Sequence, residues 1–176
     1  MIERKSELPK GSKEIWLAGG CFWGMEKYSG GIQGVLETSA GYANGQSVSP
    51  TYKEVCTGST GCAETVHVVY NPDKLTLGRL LTLYMGAINP TSLNRQGGDA
   101  GTQYRTGIYY LDEADLPAID AVIKKTEAAC VDPVVVEVKP IKSYYLAEEY
   151  HQEYLKKNPA GYCHIGDELC AAAWKE

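Results

Sequence analysis

No run in the 176-residue chain approaches the roughly 20 apolar residues that a membrane-spanning helix requires, so membrane insertion is not expected. There is no polybasic arm: 17 lysines and arginines are scattered among 22 acidic residues. The formal net charge of −5 argues against nucleic acid as a main partner, because phosphate backbones are met by a basic face. The charged start Met1-Ile2-Glu3-Arg4-Lys5 is not followed by an apolar h-region. Residues 1–12 therefore read as a flexible lead-in rather than a signal peptide, and the expected address is cytoplasmic. None of the six cysteines forms a C-x-x-C pair, and adjacent Cys163 and His164 are poorly spaced for joint tetrahedral ligation, so no metal site is expected. Internal repeats and low-complexity tracts are also absent. These exclusions leave a single domain of a size that buries a substantial core, with thiols in place of a secreted disulfide framework.

The stretch around which the chain is organised is Gly19-Gly20-Cys21-Phe22-Trp23-Gly24, after the apolar run Glu14 to Ala18. Such a run bounded by glycines reads as a short buried strand, and a turn there puts Cys21 at the start of a helix beginning near Trp23. Free cysteine is usually a small buried hydrophobe. At a helix N-terminus, however, the dipole and unpaired N–H groups favour thiolate over thiol, and two aromatics directly after the sulfur offer an apolar wall beside a nucleophile.

Further along, strands are expected at 35–40, 64–70, 108–110 and 134–138, the last closed by Pro140. Helices are expected at 75–88, where Leu77, Leu80, Leu81 and Tyr84 have core-facing spacing, at 113–130 and at 144–157, with one helical turn at 52–57. The polar stretch 91–106 is long for a loop inside a domain, and Gln96, Asp99, Gln103, Tyr104 and Arg105 suggest a functional one. Residues 160–176 show little periodicity and read as a mobile tail. The alternation of strands and helices predicts an α/β (α+β) two-layer sandwich with a mixed sheet.

The motif Gly20-Cys21-Phe22-Trp23-Gly24 resembles the signature of the A-class peptide methionine sulfoxide reductases. The resemblance continues in order through Gly41-Tyr42-Ala43, Pro50-Thr51-Tyr52, Thr60-Gly61-Cys62-Ala63-Glu64, Gly101-Thr102-Gln103-Tyr104-Arg105 and Gly161-Tyr162-Cys163. It implies a ferredoxin-like core with long irregular loops, a catalytic domain over 13–160 and a C-terminal tail over 161–176 that carries recycling cysteines. The implied reaction is thiol-dependent reduction of methionine S-sulfoxide, protein-bound and free, with no cofactor and with thioredoxin or dithiothreitol as external reductant.

Reducing a sulfoxide needs a soft nucleophile for sulfur and a proton donor for the departing oxygen. By the resemblance Cys21 is the nucleophile and leaves the reaction as a sulfenic acid, while Glu64 is the acid. A useful acid near pH 7 needs its pKa raised from ~4.3, so Glu64 is expected to be buried against Phe22 and Trp23 and hydrogen-bonded to Tyr52 and Tyr104. A glutamate at a strand end is otherwise a solvated one. Tyr52 and Tyr104 match tyrosines that bind the sulfoxide oxygen, Asp99 matches an acidic residue that contacts the substrate backbone, and Phe22 and Trp23 match the methyl pocket. Cys163 matches the resolving cysteine, and Cys170 could carry the disulfide to an exposed position for thioredoxin. Cys56 and Cys130 read as buried packing residues. Cys62 and Asn89 stand where relatives usually have histidine, and Cys62 brings an extra thiol near the site. A monomer is expected. The competing class is a non-enzymatic redox sensor built on Cys21 and a tail thiol, which turnover of a sulfoxide with dithiothreitol separates from the enzyme.

Overall fold

Period-two alternation sets the central sheet. In the computed structural model, residues 1–175 are described; Glu176, the end of the expected tail, lies outside the described residues. The chain runs β1 (Lys13–Ala18), α1 (Phe22–Gly30), β2 (Val35–Ala43), α2 (Tyr52–Cys56), β3 (Ala63–Tyr70) and α3 (Leu77–Ala87), then a short hairpin of β4 (Arg95–Gln96) and β5 (Asp99–Ala100). It continues through β6 (Gly107–Tyr110), α4 (Leu116–Ala129), β7 (Glu137–Pro140), β8 (Tyr144–Leu146), α5 (Tyr154–Lys157) and α6 (Asp167–Trp174). Six strands form one mixed sheet in the order β7-β6-β1-β3-β2-β8. Every pair in it is antiparallel except β6 with β7. The interleaved units β1-α1-β2 and β3-α3-β6 give the central four strands the ferredoxin-like order.

All eight residues of β3 are buried, as a strand in the middle of a sheet covered on both faces must be. Val66, Val68 and Tyr70 join Phe22, Met25 and Tyr28 of α1 and Leu77, Leu80, Leu81 and Tyr84 of α3 in the main core. The intervening positions face a second cluster, with Trp16, Ala63, Tyr109 and Tyr144. There His67 stacks on Trp16 with ring centroids 4.6 Å apart. By the same alternation Glu64 belongs to the helix-covered face, two residues before Val66.

Several elements differ from the sequence-based expectation. Residues 144–157 are not one helix. Tyr144–Leu146 instead pairs with the free edge of β2. Gln152 then takes over backbone duties, accepting from the Ala40 N–H at 2.9 Å and donating to the carbonyls of Ala40 and Ala147 at 2.8 Å. An open sheet edge thus overrides helical propensity. The strand expected at 134–138 lies at Glu137–Pro140, and Pro140 is tolerated within it because β7 is an edge.

The tail expected to lack structure contains α6, whose Cys170 and Ala173 are buried in the main core. Residues at the N-terminus are also tied down rather than loose. The Tyr144 N–H donates to the Met1 carbonyl and the Glu3 N–H to the Tyr144 carbonyl. The Arg4 guanidinium forks onto Glu14 at 2.9 and 2.7 Å. Burial opposes ionisation of Glu14, yet hydrogen bonds from Arg4 and His67 pull its pKa down to about 2.

Tyr84 joins α3 to the strand ends beside the site. Its hydroxyl donates to the Ala18 carbonyl at 2.7 Å and accepts from the Gly107 N–H at 3.1 Å, all in the buried core. Tyr84→Phe leaves both groups without that partner and is expected to cost about 1–3 kcal/mol, measured by urea denaturation. A variant as stable as the parent would show the hydroxyl to be dispensable.

Candidate active site

The end of β1 and the start of β3 fall at the same end of the sheet, because the two strands run antiparallel with Leu17 opposite Val66. The turn Gly19-Gly20-Cys21 therefore passes over Glu64. Gly20 has a φ of +81°, and a side chain there would collide with Gln96, whose Cβ would lie 2.6 Å away. Glycine is required on both counts. Cys21 follows as the N-cap of α1, and the Phe22 N–H at the helix start donates to Glu64 Oε2 at 3.0 Å.

Glu64 is only 1% exposed. Burial raises its pKa to about 8, with the Phe22 N–H working against the shift and the Asp99 charge adding to it. At neutral pH Glu64 is a carboxylic acid rather than a carboxylate. Its hydrogen bond is to the Phe22 amide, not to Tyr52 or Tyr104 as the sequence led us to expect. Both tyrosines nevertheless lie within range of its charge: burial first and Glu64 next push the Tyr104 phenol up, while burial, then a hydrogen bond with Cys56, then Glu64 push up that of Tyr52.

Cys21 corrects a second expectation. The N–H groups of Trp23 and Gly24 pull its pKa down, as a helix N-terminus should, but burial and then the Glu64 charge outweigh them and push it well up. In the resting site Cys21 is a thiol beside a protonated carboxyl.

Around this pair stands an aromatic wall. Phe22 packs at 5.8 Å from Tyr42 and 5.2 Å from His151 between ring centroids. Trp23 stacks on Tyr154 at 3.7 Å, and its indole N–H donates to His151 Nδ1 at 3.0 Å. Tyr52 lies 4.5 Å from the same imidazole. Glu148 fixes the start of α2, accepting from the Tyr42 hydroxyl at 2.9 Å and the Tyr52 N–H at 3.2 Å. Tyr104 sits on a short 3-10 turn, which Arg105 ties to the segment before Glu64 through the Gly61 carbonyl at 2.9 Å. On β5, Asp99 Oδ2 is buried without a partner among the described residues. His151 and Glu148 were not singled out from the sequence because both fall within the stretch read as a plain helix.

Cys163 lies against the first turn of α1: a Cβ on Gly24 would be 3.2 Å from its Sγ. Cys170 is 1% exposed on the inner face of α6, within range of the Cys163 charge, and Lys27 latches that helix to α1 through Asp167 at 2.6 Å. Cys62 is buried against Gly45. Cys56 is exposed and Cys130 partly so, contrary to the buried reading: Cys56 is the last residue of a one-turn helix, and Cys130 caps the end of α4. Among the described residues no group of three or more His, Cys, Asp or Glu side chains could hold a metal ion. No described helix is long and apolar enough to cross a membrane.

A family model described as peptide methionine sulfoxide reductase matches residues 13–175. The chain belongs to this family. Peptide methionine sulfoxide reductase MsrA of Lachnoclostridium phytofermentans is 56% identical over 155 residues, spanning 88% of this chain and 93% of the relative. Among solved structures, reduced Mxr1 from Saccharomyces cerevisiae superposes with a TM-score of 0.84 at 39% identity, covering 90% of this chain and 93% of that one. Methionine sulfoxide reductase A of Corynebacterium diphtheriae superposes with a TM-score of 0.80 at 39% identity, covering 88% and 79%. The methionine sulfoxide reductase fold thus places the acid and thiol of this chain at one end of the two central strands. Carbon-detected NMR of the protein is expected to show the Glu64 carboxyl titrating near 8, whereas a midpoint near 4.5 would contradict the buried, neutral acid.

Proposed function

We propose that the protein reduces the S epimer of methionine sulfoxide, free and in oxidised proteins, through a Cys21 sulfenic acid. The observation that carries this reading is the buried neutral carboxyl of Glu64, hydrogen-bonded one residue beyond the thiol. In this scheme Glu64 gives its proton to the sulfoxide oxygen, and the Cys21 proton replenishes the carboxyl. The oxygen passes to the Cys21 sulfur, and the thioether leaves. Thiol and sulfoxide become sulfenic acid and thioether, with no cofactor and no net change in protons.

Tyr52 and Tyr104 hold the sulfoxide oxygen, and Phe22 and Trp23 receive the methyl group. The unpartnered Oδ2 of Asp99 is suited to accept a substrate N–H. Cys163 attacks the sulfenic acid, forming the Cys21–Cys163 disulfide and water. Thioredoxin or dithiothreitol then reduces that disulfide, with Cys170 as relay only after α6 has lifted. The enzyme acts as a monomer in the cytoplasm.

An epimer-resolved assay with dithiothreitol tests the reading. Cys21→Ser is expected to abolish turnover, and activity in that variant overturns the nucleophile. Since Glu64 must be protonated to donate, the rate of methionine release in a single turnover should fall as pH rises through about 8. Glu64→Gln should lower that rate on the order of 10²-fold or more and remove this limb of the profile. Cys163→Ser should release one methionine per enzyme and then stop; sustained thioredoxin-driven turnover would refute its role.

A further inference from the structure

We propose that His164 is the general base of the disulfide-forming step, taking the Cys163 proton at Nδ1. The inference rests on the reading of Cys163 as the resolving thiol. The tautomer follows from the hydrogen bonding. His164 Nε2 lies 2.8 Å from the Gly19 carbonyl, which can only accept, so Nε2 carries the hydrogen and Nδ1 a lone pair. Nδ1 is buried and has no partner among the described residues. Burial lowers the pKa of the ring against the opposing influence of the Gly19 carbonyl and the Asp99 charge, which keeps the imidazole neutral.

A Cβ on Gly24 would lie 2.9 Å from His164 Nδ1 and 3.2 Å from Cys163 Sγ, so base and thiol converge on one spot in the first turn of α1. Cys21 senses the N–H of that same Gly24. Glycine at position 24 is the gap through which the two sulfurs and the imidazole meet. The Cys163 Sγ donates to the Ile165 carbonyl at 3.1 Å, and a thiol is a poor nucleophile until a base removes its proton. The Gly19 carbonyl that orients the ring belongs to the turn carrying Cys21, so base and target sulfur share a mount. In the step, the Cys163 proton moves to Nδ1 and the thiolate attacks the Cys21 sulfur, forming the S–S bond. The S–OH bond breaks, and the imidazolium proton leaves with the hydroxyl as water.

The test separates this step from sulfoxide reduction. Single turnovers are started with methionine sulfoxide or, independently, by forming the sulfenic acid with one equivalent of hydrogen peroxide; disulfide formation is followed by thiol loss and dimedone trapping. His164→Gln keeps a donor for the Gly19 carbonyl without a basic nitrogen. It is expected to release methionine at the parent rate, form the disulfide on the order of 10²-fold more slowly and accumulate trappable sulfenic acid. His164→Ala should be as slow and should be accelerated by added imidazole. Disulfide formation at the parent rate in His164→Gln overturns the proposal, as does the absence of imidazole rescue in His164→Ala. If the parent releases no methionine, the proposed substrate fails, while the peroxide arm still decides the role of His164.

Discussion

The single contact on which the site depends is the hydrogen bond from the Phe22 amide to the Glu64 carboxyl. Glu64 occupies a position that strand alternation assigns to the core, and an unpaired carboxylate there would be costly. The fold resolves the conflict by keeping the group protonated and giving one oxygen an amide at the mouth of a helix. The same bond fixes the turn after β1 over the start of β3, so the sulfur beside it is held by sheet register rather than by a loop. Acid and thiol share an environment that penalises negative charge on either, which stores one proton on each until a polar oxygen arrives.

Around that contact the protein invests in orientation. The indole of Trp23 is held through its face by Tyr154 and through its N–H by His151. His151 itself touches Phe22 and Tyr52. His151 comes from the irregular stretch between β8 and α5, and Tyr154 is the first residue of α5. A regular helix over those residues would leave β2 with an unpaired edge and the aromatic wall without its back.

Much of this was legible in the chain. The β-branched run of β3 and the Leu–Leu–Tyr spacing of α3 announce themselves, because each buries large apolar side chains at a single period. Cys21 was conspicuous through its flanking glycines and aromatics. The stretch from Tyr144 to Lys157 was not legible, because its helix-forming residues obey a distant strand edge. The helix of the tail was missed because its buried face is made of Cys170 and Ala173, too small to leave a periodic signal. The bond partner of Glu64 escaped for another reason: a backbone amide carries no signature in sequence. So did the free nitrogen of His164, since only the carbonyl it meets fixes which side of the ring bears hydrogen.

Cys56 ends a one-turn helix with its side chain open to solvent, whereas Cys21 is 8% exposed and held as a thiol. The order in which the thiols of this protein take up an alkylating reagent therefore reports accessibility before it reports nucleophilicity. A chemist titrating the fastest thiol would label the rim of the pocket and take it for the centre.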